Sequence, residues 1–78
     1  MRVMDERVVT WTRGRRIRML VADVPGDYDR LLREVTEQAQ RTDDRDRLAD
    51  AVSAIFNEVV KVDRAEVDGV EEVILRVG

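Results

Sequence analysis

Residues 7–22, RVVTWTRGRRIRMLVA, decide the fold of this chain, because apolar and polar side chains alternate on both sides of a glycine. Alternation with a period of two is typical of a β-strand that is buried on one face. We therefore predict a β-hairpin over residues 7–22 with Gly14 in its loop. Its apolar face is predicted to comprise Val9, Trp11, Ile17, Met19 and Val21.

The register of this hairpin depends on the length of its loop. A three-residue loop, 13–15, places Trp11 opposite Ile17 and keeps the apolar side chains on one face. A two-residue loop, 13–14, would place Trp11 opposite Arg16 and mix both faces. Since a one-residue slip turns every side chain to the other face, burial favours the three-residue loop.

Two amphipathic helices are predicted after the hairpin, over residues 28–41 and 44–61. In the second, apolar residues recur at spacings of three and four from Leu48 to Val62, and additional apolar residues widen this stripe into a broad arc. One sheet face does not require so wide an arc, so the helix is either enclosed within the domain or contacts another chain. The candidate residues for self-association are Val52, Ile55, Phe56 and Val59.

The chain becomes extended again after the second helix. Asp68 and Gly69 form a strong turn signal, and residues 70–77 alternate as a strand. A short strand over 65–67 would pair across the turn and place Glu66 opposite Glu71. The order β-β-α-α-(β)-β predicts a small two-layer α+β domain with an antiparallel or mixed sheet and both helices on one face.

Composition limits both the size of the core and the available chemistry. The chain has 78 residues, 44% of them apolar and 40% charged, which predicts one domain over residues 1–78. It contains no cysteine and no histidine, which excludes disulfides, thiol catalysis and the usual zinc sites. We expect no enzymatic activity, no cofactor and no metal site. A domain this small often needs added support, so we expect a homodimer or another protein partner.

The sequence contains no segment that would place it in a membrane. No apolar run approaches the length needed to cross a bilayer, and the first residues lack the apolar region of a secretion signal. We expect a cytoplasmic protein.

Positive charge is concentrated in the hairpin of an otherwise acidic chain. The net charge is −3, yet residues 1–24 hold six arginines against three acidic residues. Four arginines lie within six residues at the loop and the second strand: Arg13, Arg15, Arg16 and Arg18. They can be solvated residues that protect a sheet edge, or cations that dock on the acidic helices of a second copy, or contacts to nucleic acid.

These alternatives define two functions. The favoured one is a non-catalytic domain that self-associates or binds a protein. The other is a nucleic-acid-binding regulator that acts through the arginine-rich hairpin, because a two-stranded ribbon fits the major groove.

Two segments also resemble parts of known regulators. Residues 17–60, with IRMLVADV followed by two helices, resemble the strand-helix-helix order of ribbon-helix-helix repressors. Residues 8–32 are similar to the hairpin-then-helix segment of Phd/YefM-type antitoxins. Each resemblance implies a DNA-binding repressor or antitoxin, and neither assigns a role to a particular residue.

Overall fold

A computed structural model describes residues 4–78 of the chain, which form four strands and two α-helices. The predicted class is confirmed: this is a small α+β domain with a mixed sheet and two helices on one face. The elements in chain order are β1 (Asp5–Thr10), β2 (Arg16–Val21), α1 (Tyr28–Arg41), α2 (Arg45–Phe56), β3 (Val60–Val67) and β4 (Val70–Val77).

The strands are arranged in the order β1-β2-β4-β3. β1 pairs with β2, and β3 with β4, in antiparallel fashion, whereas the two central strands β2 and β4 are parallel. A parallel pair requires a long connection, and here both helices and β3 lie between β2 and β4. The outer strands β1 and β3 each leave one edge without a partner in the sheet.

The core lies between the two central strands and the helices. Alternate residues of β2 and β4 point towards the helices and are buried, as the alternation predicts. These are Ile17, Met19, Val21, Val73, Leu75 and Val77, and the helices cover them with Tyr28, Val35, Ala39, Leu48, Ala49 and Val52. The other side of the sheet, which we call the helix-free face, carries the remaining alternate residues.

The predicted register of the first hairpin is wrong by two residues. Val9 lies opposite Ile17, and Trp11 lies in a five-residue loop that includes a turn of 3₁₀-helix at Thr12–Gly14. Trp11 leaves the strand because its indole N–H donates to the carbonyl oxygens of Ala39 at 2.9 Å and Thr42 at 3.0 Å. A slip of two residues keeps the same side chains on each face. Ile17, Met19 and Val21 are buried as predicted, whereas Val9 is 40% exposed.

The second helix is shorter than predicted, ending at Phe56 rather than at residue 61. Asn57 adopts the left-handed conformation, with φ 54°, and its N–H donates to the carbonyl of Ser53. This backbone conformation stops a helix. The valines that follow, Val59 and Val60, are β-branched, and the chain continues as a strand.

That strand is longer than predicted and begins at Val60 instead of residue 65. The predicted pairing of Glu66 opposite Glu71 is confirmed. Within residues 4–78, no helix is long and apolar enough to cross a membrane.

Candidate interaction surface

The four hairpin arginines all contact oxygen atoms of the same chain. Arg13, at the tip, forms an ion pair with Asp43 at 2.8 Å, and both side chains are exposed. The Arg15 guanidinium lies over the Trp11 ring, 3.9 Å from its centroid, and donates to the carbonyl oxygen of Asp43 at 2.7 Å. The loop is thereby attached to the segment that joins the two helices.

Arg16 and Arg18 lie on the helix-free face, on either side of Glu72. The Glu72 side chain is 2% exposed although no helix covers it, because the two arginines lie beside it. Arg18 donates to Glu72 and also pairs with Glu6 on β1. Arg16 lies 3.6 Å from the second Glu72 oxygen and donates to the carbonyl of Val67 at 3.1 Å. These contacts connect all four strands.

The electrostatics of Glu72 follow from this arrangement. The hydrogen bond from Arg18 holds the pKa of Glu72 below its ordinary value, against the opposing effect of burial. The same contact raises the pKa of Arg18. The carboxylate is therefore ionised and its charge is offset within the chain, so it serves as a cross-strand connection.

A second polar cluster connects β1 to the first helix. The Tyr28 hydroxyl donates to Asp5 at 2.6 Å, and Arg7 donates to the same carboxylate oxygen at 2.8 Å. These bonds hold the pKa of Asp5 below its ordinary value, and burial raises the pKa of Tyr28. Sequence reasoning missed this cluster, since Tyr28 reads as one more apolar position of the helical stripe.

The candidate self-association residues lie in three different environments. Val52 is fully buried in the core and is not accessible to a second copy. Ile55 and Phe56 are half-buried against the core, and Val59 is 70% exposed just before β3. The broad apolar arc thus packs mostly against the core of its own domain. Self-association through its exposed residue, Val59, stays a prediction.

The exposed apolar side chains lie elsewhere, along the two outer strands. In residues 4–78 the large ones number six, and each lies in an outer strand or directly before it. They are Met4, Val8 and Val9 at β1, and Val59, Val62 and Val67 at β3.

The depressions of this surface are small or open. A partly enclosed depression, between the end of the sheet and Phe56, has a volume of about 70 Å³. Larger depressions, of about 280–480 Å³, are more open to solvent. Pockets for small-molecule ligands usually measure roughly 300–1,000 Å³. Across the described residues, no three acidic side chains converge as a metal site requires.

Comparison with protein-family models, with curated proteins and with solved structures finds no match for this chain. Its function must therefore be inferred from the chemistry of this surface.

Proposed function

We propose that this protein is a non-catalytic domain that associates with a second copy of itself through the outer strands of its sheet. The observation that carries the proposal is that the exposed large apolar side chains of residues 4–78 all lie along β1 and β3. The outer edge of such a strand has unpaired N–H and C=O groups, which a further strand can bind. Apolar side chains beside that edge lose contact with water when the strand is covered.

The size of the chain supports the same proposal. With 78 residues, no cysteine and no histidine, the domain has neither a disulfide nor a zinc site to add to its small core. Association with a second copy increases the buried apolar surface and stabilises the folded state by mass action.

The polar groups support a binding role over a catalytic one. The carboxylates with displaced pKa values, those of Asp5 and Glu72, accept hydrogen bonds that connect one element of the fold to another. Each is held in its ionised form by a neighbour, whereas a general acid needs a pKa close to the working pH.

The test is the mass of the protein in solution. Light scattering should give about twice the chain mass of 9.0 kDa. Val8→Lys and Val62→Lys each place a charge on one outer strand, and at least one of them should yield a folded monomer. Gln40→Lys, on the exposed side of α1, is the matched control and should leave the mass unchanged. A wild-type monomer at about 1 mM would overturn the proposal, since weak association is populated at that concentration.

A further inference from the structure

We infer that the contact between two copies is made by β3, paired antiparallel with the β3 of the second copy about a two-fold axis at Val62. This inference rests on the proposed self-association and assigns its surface and register. The two sheets would then join into one sheet of eight strands, with the helices of both copies on the same side.

The charged side chains of β3 distinguish this strand from the rest of the sheet. Lys61, Asp63, Arg64 and Glu66 alternate in sign, and within residues 4–78 none of them takes part in an ion pair. By contrast, the charged residues of β1 are already engaged, because Asp5 pairs with Arg7, and Glu6 pairs with Arg18. The outer edge at β3 therefore retains charges that a partner can neutralise.

The backbone of β3 is also free to pair. The two-residue turn at Asp68 and Gly69 makes Val67 and Val70 a hydrogen-bonded pair, so every second residue from Val67 bonds to β4. The bond from the Gly78 N–H to the Val59 carbonyl, at 3.0 Å, agrees with this phase. The intervening residues of β3 direct their N–H and C=O groups away from β4, towards the open edge of the sheet. These residues are Val60, Val62, Arg64 and Glu66.

The register follows from charge. Two antiparallel copies of one strand must meet about a two-fold axis, and centring the axis on a charged residue would place like charges opposite each other. Centring it on Val62 places Lys61 opposite Asp63 twice and Val62 opposite Val62. Centring it on Ala65 satisfies Arg64 and Glu66 but places Val67 opposite Asp63.

Within residues 60–64, the Val62 register therefore combines unlike charges with apolar contact. Val62 is 38% exposed in the single chain and would be covered by its own copy. With residues 60–64 overlapping, the outward groups of Val60, Val62 and Arg64 would form about six hydrogen bonds between the two chains.

Charge substitutions test the register. Lys61→Asp should raise the dissociation constant of the dimer about tenfold or more, because by symmetry two attractive pairs become repulsive. Combining Lys61→Asp with Asp63→Lys restores unlike charges and should recover most of the affinity. Arg64→Glu is the matched control: it changes the net charge equally, but position 64 lies opposite Val60, so its effect should be smaller.

These variants should fold, since Lys61 and Asp63 form no ion pair with the described residues, and Lys61 lies opposite Arg76 within the sheet. Thermal unfolding of each variant at low protein concentration checks this point. An affinity lost equally in Lys61→Asp and Arg64→Glu, or not recovered by the double exchange, would overturn the register.

Cysteine cross-linking gives an independent readout, because the natural chain has no cysteine. Paired residues at the axis have Cα atoms about 5.5 Å apart, a separation that a disulfide spans. Val62→Cys should form a covalent dimer under mild oxidation, and Ala65→Cys should form far less. If the wild type is dimeric and Val62→Cys stays uncross-linked, the β3 contact is wrong while self-association survives. If the wild type is monomeric, both proposals fail.

Discussion

The buried carboxylate of Glu72 shows how single residues maintain this sheet without help from the helices. It lies on the helix-free face, but Arg16 and Arg18 approach it from the neighbouring strand and exclude water from it. An ionised group can be buried only when its charge is offset by close partners. Arg16 and Arg18, which help to make the hairpin sequence basic, therefore have a structural role beside Glu72.

Acid should destabilise the domain through Asp5 and Glu72, whose ordinary pKa values are 3.8 and 4.5. Both pKa values are lower in the folded chain, so the unfolded chain takes up protons first as the pH falls. Their stabilising contribution is therefore complete above the ordinary values and declines as the pH falls towards the folded values. Circular dichroism should show a Tm that is nearly constant between about pH 5 and about pH 9 and falls below pH 5.

Glu72→Gln provides the control for this pH dependence. The variant should have a lower Tm near neutral pH, because the two arginines lose the charge that they surround, and its Tm should fall less in acid. A decline in acid as large as that of the wild type would show that Glu72 does not contribute.

At the scale of single elements, the end of α2 determines how much of the chain is available for β3. The stripe of Leu48, Val52, Ile55, Val59 and Val62 matches a helix throughout, so periodicity alone favours a helix to residue 61. Asn57 interrupts it, because its left-handed backbone directs the chain away from the helix axis. Consequently Val59 lies directly before β3 and Val62 lies within it, and neither belongs to a face of α2.

Substitutions at Asn57 should separate backbone conformation from side-chain contacts. Asn57→Gly should keep or slightly raise the stability, because glycine adopts φ near 54° without strain. Asn57→Ala should lower the free energy of unfolding by about 1 kcal/mol, because asparagine tolerates the left-handed region through local hydrogen bonds of its short polar side chain, which alanine lacks. Urea unfolding, followed by the fluorescence of the single tryptophan, Trp11, measures both. Equal stability of the two variants would contradict this account.

At the scale of the whole molecule, the fold brings the positive charges of the hairpin next to acidic groups and carbonyl oxygens that are distant in sequence. The four hairpin arginines contact carboxylate or carbonyl oxygens of their own chain, and the net charge is −3. These contacts reduce the positive charge available to phosphate groups.

The protein should accordingly show little retention on duplex DNA at about 0.15 M salt. Retention that falls steeply between about 0.05 M and 0.2 M salt would instead support the nucleic-acid-binding regulator, since phosphate contacts release counterions. Arg13→Ala is the informative variant, because Arg13 is the most exposed of the four and its loss leaves the sheet intact. If that variant binds DNA as the wild type does, the hairpin tip is not the contact.

The sequence by itself determined the types of element and the side chains that fill the core. Alternation identified Ile17, Met19 and Val21, together with Val73, Leu75 and Val77, as the buried faces of two strands, and helical spacing identified most of what covers them. These patterns are local, since the period of a strand or helix is set by its own backbone geometry. An error of two residues in the strand register does not change them, because it keeps each side chain on the same face of the sheet.

Only the tertiary structure decided which strands are neighbours and therefore which charges meet. Arg18 and Glu72 are separated by 54 residues, and they pair because β2 and β4 lie side by side in parallel. The same arrangement places β3 at an edge of the sheet, where its charged side chains form no ion pair with residues 4–78. Strand order depends on how distant segments pack together, and no local periodicity contains that information.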